Sequence, residues 1–334
     1  MAQDTTTPAD ETTRPAPALH VAPSPHFGTT GRSTRWMMYD VILALLPAVG
    51  VGVYMFGLDA LRVVAITLGA CVATEWIFLT VRRRPVTLLD GSAVVTGLIL
   101  ALSMPWTSPW WMAVIAGGAA IALGKMVFGG LGNNLFNPAM VGRAFVMIAF
   151  TSEMTTWLMN GQVPPPHTVE AATGATALAG EQAVPWINLL LGNVNGCIGE
   201  TSALALVLGG LYLCLRRTAA WQIPVGVLGG AMVVALIQWA VNPDAVIGPV
   251  THLLGGGLVF GAFFIATDPV SSPVSVKGRW LFGIGVGVLV MLIRLFAGYP
   301  GGVMFSVLIM NSVVPIINRY TIPVPVGGKT QAAA

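Results

Sequence analysis

Charge is scarce in this sequence. Of its 334 residues only 9% are Asp, Glu, Lys or Arg and 55% are hydrophobic, whereas an ordinary soluble domain carries about 25% charged residues. Such a chain has too little polar surface to cover itself in water, which excludes a soluble enzyme and reads as an integral membrane protein. The surplus of 16 Lys and Arg over 13 Asp and Glu is too slight to imply a nucleic-acid partner. Cysteine is scarce as well. Cys71, Cys197 and Cys214 are too few and too scattered for a disulfide framework or a complete four-thiolate iron–sulfur site; Cys71 and Cys214 lie in apolar runs and read as buried helix residues, while Cys197 lies in a connection. The four histidines, His20, His26, His167 and His252, have no ligand spacing, so no metal site is expected. Residues 1–36 hold no apolar run that would serve a signal peptide and, rich in Thr, Pro and Ala, read as a disordered cytoplasmic tail. A strand, Gly-x-Gly-x-x-Gly and helix fingerprint for a nicotinamide nucleotide is also missing.

What the chain has in quantity is apolar segments, about ten of them: 37–56, 60–81, 88–104, 110–128, 137–151, 200–215, 221–241, 250–267, 280–297 and 303–319. The expected fold is an all-α integral membrane protein of about ten transmembrane helices. The third and fifth are short for a full crossing, since about 17 residues at 1.5 Å each reach about 26 Å, so tilted or broken helices are expected. With residues 1–36 in the cytoplasm, fourteen cations, Lys125 and Arg143 among them, fall on the inner side. Only Arg62 and Arg294 fall outside, a positive-inside bias that puts both termini, including a tail at 321–334, in the cytoplasm. The connection 152–199 contains no Lys or Arg and is expected on the periplasmic face of a bacterial inner membrane.

Segments one to five, residues 37–151, align with segments six to ten, residues 200–320. Leu88-Leu89-Asp90-Gly91 matches Leu253-Leu254-Gly255-Gly256, and Pro105 with Ser108-Pro109 matches Pro269 with Ser272-Pro273. More weakly, Asp40-Val-Ile-Leu echoes Glu200-Thr-Ser-Ala. Five is odd, so the two five-helix repeats would enter the membrane from opposite sides, an inverted-repeat plan that shelters a site near midplane.

The outer connection carries Glu170-Ala171-Ala172-Thr173-Gly174-Ala175-Thr176. This peptide resembles the flavinylation signal of the Rnf and Na⁺-translocating NADH:quinone reductase families, with Glu170 in place of the usual Asp. The resemblance puts FMN on Thr176 through a phosphoester bond; Gly174 and Ala175 leave the backbone open to a modifying flavin transferase, and Thr173 completes the signal. The likeness extends to Ser24-Pro25-His26, Leu89-Asp90-Gly91-Ser92-Ala93, Gly129-Gly130-Leu-Gly-Asn133-Asn134-Leu-Phe-Asn137-Pro138-Ala139-Met140 and Gly199-Glu200-Thr201-Ser202-Ala203-Leu204. Over residues 24–320 the chain is similar to the RnfD family of the Rnf ion-translocating oxidoreductase, with the related NqrB family of the quinone reductase as second choice. What that resemblance implies is an electron-transfer component of a membrane complex that passes electrons between ferredoxin and NAD⁺, coupled to Na⁺ or H⁺ translocation. It implies partner subunits with iron–sulfur clusters and a second flavin, surrounding membrane lipid, and non-covalent riboflavin in some relatives.

Several residues carry two readings. Gly199, Glu200, Thr201 and Ser202 open a helix, as caps or as contacts of the tethered flavin ring. Asn134 and Asn137 either satisfy a broken helix or bind the polar edge of a second flavin. Asp90 and Asp268 are interfacial acids or guides for a cation. Glu75 lies inside a segment about 10 Å of helix rise from Arg82, and an acid so placed is usually functional or paired; the expected partner is the Arg82–Arg84 cluster or another protein of the assembly. Arg294 is expected to snorkel to the outer interface, and Trp106, Trp110 and Trp111 to form an aromatic belt. The rival functions are a channel or transporter for a small solute and a purely structural anchor for redox proteins.

Overall fold

A computed structural model describes residues 33–155, 185–192, 194, 196–243, 247–297 and 301–323. Among these every regular element is helical. In chain order they are α1 (Thr34–Phe56), α2 (Leu58–Val81), α3 (Ser92–Leu102), α4 (Trp110–Ile121), α5 (Pro138–Ala149), α6 (Thr151–Thr155), α7 (Trp186–Leu191), α8 (Ala203–Leu215), α9 (Gln222–Val241), α10 (Pro249–Leu254), α11 (Leu258–Phe260), α12 (Val276–Phe296) and α13 (Val303–Thr321). Five of them, α1, α2, α9, α12 and α13, are long and apolar enough to cross a membrane. Large apolar side chains stand exposed along them, such as Leu43 and Leu46 on α1, Ile77 on α2 and Leu236 and Ile237 on α9. In hydrocarbon that exposure costs nothing, while inside the bundle Leu45, Leu100 and Phe282 fill the core and small residues serve where helices cross closely. Gly226 and Gly230 of α9 lie against α12 at Gly283 and Ile284, and a Cβ at Gly287 of α12 would meet the Val227 carbonyl. That is the close approach small residues permit between membrane helices.

The shorter helices are broken for identifiable reasons. Segment 88–104 begins with a 3₁₀ turn at Leu88–Asp90, and Gly91 at φ 80° separates it from α3. Segment 250–267 is interrupted between α10 and α11, with Gly256 at φ 64°. Only glycine takes that backbone without a Cβ penalty. Both segments four and eight end in a π-turn, Ala122–Met126 after α4 and Gly261–Ile265 after α11, closed by Val127 N–H to the Ala122 carbonyl (3.0 Å) and Ala266 N–H to the Gly261 carbonyl (2.8 Å). An extra residue in the turn redirects the side chains that follow, and such turns recur at functional sites.

At one end of the bundle the starts of α1, α3, α5, α9 and α12 gather with the first π-turn and the ends of α8 and of the second π-turn around two adjoining cavities. Arg82, closing α2, donates to the Met126 carbonyl (3.0 Å), and Ser275, capping α12, donates to Thr321 at the end of α13 (2.6 Å). At the other end Phe56 stacks on Trp106 (5.9 Å), Trp111 meets Phe150 edge-on (4.9 Å), and Ile198 N–H reaches the Met104 carbonyl (3.1 Å). Trp106 and Trp111 are thus half-buried packing residues, and of the three only Trp110 stands exposed as a belt residue would.

Two of the cations counted on the inner side are not at an interface at all. Lys125 and Arg143 are 2% and 6% exposed and are spent inside the protein. The apolar runs that contain them were the signal: a cation within such a run has to find a partner there. Arg294 does not snorkel either. It turns inward, donating to the His252 carbonyl (2.6 Å) and the Gly255 carbonyl (3.2 Å), because the break after α10 leaves those acceptors without helical donors.

Candidate functional site: a cavity and two buried charge clusters

The first cavity lies between residues of the two halves. Its apolar walls come from α1, α3 and α8, with Met38, Val95, Ile99 and Leu213, and Phe264 closes it from the second π-turn. Asn134, Asn137, Ser92, Thr96, Lys125 and Asp268 supply polar groups. Asn137 is placed by its neighbour Pro138, which takes the first position of α5 where no amide donor is needed, so the Asn137 Oδ1 caps the helix at Met140 N (3.3 Å). Its Nδ2 donates across the halves to the Ile265 carbonyl (3.2 Å), an acceptor in the second π-turn. Asn134 folds back onto the Phe136 carbonyl (3.0 Å). Both amides therefore satisfy backbone groups and also line the cavity.

Beside this cavity lies a buried ion pair. Lys125 Nζ is 2.7 and 2.8 Å from the two Glu75 oxygens and 2.5 Å from Ser92 Oγ, with Glu75 only 3% exposed. The first π-turn brings Lys125 to α2, and all three of its ammonium protons have acceptors. Ser92 Oγ in turn donates to Asp90 Oδ1 (2.6 Å), which also accepts from Ser92 N–H (2.8 Å). Glu75 thus pairs with Lys125 and not with Arg82–Arg84. Asp90 receives the first N–H of α3, and Asp268 accepts from Ser271 Oγ (2.7 Å) and Val270 N–H (3.3 Å).

The second cluster lies at the start of α8. Arg143 Nη2 donates to Cys197 Sγ (3.4 Å) and stands 4.0 Å from Glu200 Oε1. Glu200 Oε2 accepts from Cys197 N–H (3.4 Å), and Cys197 Sγ donates to the Ser103 carbonyl (3.0 Å). Burial, with Glu200 alongside, pushes the Cys197 thiol well above its ordinary value, so it stays protonated. Cys197 is fully buried. Gly199 is packed where a Cβ would meet Leu102 (2.8 Å), Thr201 Oγ1 donates to the Ile198 carbonyl (3.1 Å), and Ser202 caps α8 at Ala205 N (3.2 Å) while donating to the Leu190 carbonyl (2.9 Å). These four residues are together, in capping and packing roles. Asp40, buried on α1, accepts from Tyr212 Oη (3.2 Å), Arg216 Nη2 (3.2 Å) and Thr218 Oγ1 (3.1 Å) of the second half.

Thr173, Gly174, Ala175 and Thr176 lie outside the described residues, as do residues 1–32 and 324–334. No group of three potential metal ligands occurs among the described residues. Sequence reasoning missed Lys125, Arg143 and Asp40 as interior charges.

The family model for NQR2, RnfD and RnfE matches residues 20–327. The chain is 44% identical over 308 residues to the D subunit of the Na⁺-translocating ferredoxin:NAD⁺ oxidoreductase complex of Acetobacterium woodii, covering 91% of this chain and 93% of that protein. It is 42% identical over 324 residues to the D subunit of the proton-translocating ferredoxin:NAD⁺ oxidoreductase complex of Clostridium ljungdahlii (92% and 96%). To the D subunit of the ion-translocating oxidoreductase complex of Ectopseudomonas mendocina it is 40% identical over 333 residues (92% and 95%).

Proposed function

The chain belongs to the NQR2, RnfD, RnfE family, and from that premise we propose that it is the RnfD component of an Rnf-type complex, carrying FMN on Thr176 and relaying electrons between ferredoxin and NAD⁺ chemistry in partner proteins while an ion crosses the membrane. The observation that carries this reading is the acidic-x-x-Thr-Gly-Ala-Thr peptide at residues 170–176, standing between two helical halves in a chain that matches relatives over nine-tenths of its length. One of those relatives is named for Na⁺ and another for protons, so the coupling ion is open.

The arrangement of helix ends supports ten traversals in two inverted halves with both termini on the basic, cytoplasmic side of the inner membrane. Starts and ends alternate around the two cavities, and α2 with α4 pairs as α9 does with α12. Gly91 and Gly256, equivalent in the proposed repeat, both take left-handed backbone. The loop with Thr176 would then face the periplasm.

The lining of the cavity fits the chemistry of a second, non-covalent flavin: its walls are apolar, and two amides and the hydroxyl residues Ser92 and Thr96 border it. A bound flavin supplies the one-electron chemistry. Asn134 and Asn137 would hold its polar edge, Ser92 and Thr96 would orient it, and Phe264 and Ile99 would keep water from its face.

Mass spectrometry of the Thr176 peptide, from protein produced together with a flavin transferase, tests the assignment. The expected result is one FMN adduct, kept in Thr173→Ala and lost in Thr176→Ala. A native peptide without the adduct would overturn it.

A further inference from the structure

A second cavity adjoins the first and shares Met37, Thr218, Ala219, Thr267 and Pro269 with it. Its remaining wall carries Arg217, Arg279, Gln222 and Trp221. Neither arginine meets a carboxylate among the described residues, where the ion pairs belong to Arg62, Lys125, Arg143 and Arg216. Arg279 spends its Nε on the Pro273 carbonyl (3.3 Å). Arg217 follows α8 at φ 56°, in the position where a closing turn ordinarily takes glycine. The Oε1 of Gln222 is buried and has no donor. Beside it Trp221, half of it exposed, meets Trp280 edge-on at 5.7 Å, and indoles of this kind mark the level of lipid headgroups.

Two guanidiniums without carboxylates, an acceptor without a donor and an apolar floor of Met37, Ala220 and Pro269 describe one chemistry. Guanidinium forks match phosphate oxygens, and basic recesses between membrane helices on the cytoplasmic side take anionic headgroups. The empty acceptor at Gln222 calls for a hydroxyl or ammonium attached to the same phosphate. We propose that this cavity binds the phosphodiester of a glycerophospholipid, with Arg217 and Arg279 on the phosphate and Gln222 Oε1 accepting from the headgroup alcohol or amine. Inorganic phosphate offers the same charge from the aqueous side, so the test separates the two sources.

The full chain, purified in mild detergent and mixed with micelles containing dioleoylphosphatidylglycerol, is examined by native mass spectrometry. The expected result is one tightly held lipid per chain, weakened about fivefold by Arg217→Gln or Arg279→Gln and about thirtyfold by both, from the usual contribution of a basic residue near an anionic headgroup. Arg83→Gln, another left-handed arginine but outside the cavity, leaves binding unchanged. Gln222→Leu, the second line of evidence if the double variant fails to fold, removes the preference for phosphatidylglycerol over dioleoylphosphatidylmethanol, which lacks a headgroup hydroxyl. Equal lipid retention by the wild type and a folded double variant overturns the proposal. So does displacement of the lipid by inorganic phosphate, or a wild type that does not distinguish the two lipids.

Discussion

Removing Lys125 should injure this protein more than removing almost any other charge, and the injury should vanish when Glu75 goes with it. Lys125→Met takes away the ammonium that touches both Glu75 oxygens and Ser92, leaving a carboxylate 3% exposed in a low-dielectric interior. Breaking a buried pair from one side costs about 3–5 kcal/mol, whereas replacing both partners by apolar side chains of similar volume is often neutral or stabilising. Glu75→Met should therefore cost about as much as Lys125→Met, and the double variant should recover most of both losses. Unfolding of the full chain in mixed micelles of rising dodecyl sulfate fraction, followed by tryptophan fluorescence, gives the four stabilities needed for the cycle. The coupling is expected to reach about 3 kcal/mol; additivity to within about 0.5 kcal/mol would show that the two groups do not depend on one another.

Two further outcomes follow from backbone contacts. Arg294→Met leaves the His252 and Gly255 carbonyls without their donor and should cost about 1–3 kcal/mol for each unsatisfied acceptor in the same unfolding assay; wild-type stability in this variant would place the arginine back at the interface. Gly287→Val drives methyls into the Val227 carbonyl of the facing helix and should lower stability by about 1–3 kcal/mol, as overpacking does. Gly50→Val, with open space around it, serves as the control in size-exclusion profiles, and equal monodisperse yields from both would refute the packing argument.

Helices were the legible part of this chain, because hydrocarbon forces backbone groups to bond within the segment and long apolar runs are the direct trace of that requirement. The caps were legible too: Ser202 serves as one, and so does Asn137 before Pro138. What could not be read was where polar side chains inside those runs would point. Lys125 lies in a segment whose last turn widens by one residue, and no composition signal announces a π-turn. Arg143 and Glu200 are 57 positions apart in the chain, so their approach depends on how α5 and the turn before α8 are docked. Lys125 near the end of its segment and Arg143 in the middle of its own each have a partner within the protein. The peptide around Thr176 was legible by resemblance alone.

The halves are sewn together at both ends. Asp40 grips Arg216, Tyr212 and Thr218, Asn137 holds the Ile265 carbonyl, and Arg143 stands 4.0 Å from Glu200 at the other rim. A machine that exposes its cargo by tilting one half against the other would have to tear all three seams on every stroke. A frame stitched in this way is suited to keeping stations at constant spacing, so that what moves is charge while the scaffold stands still.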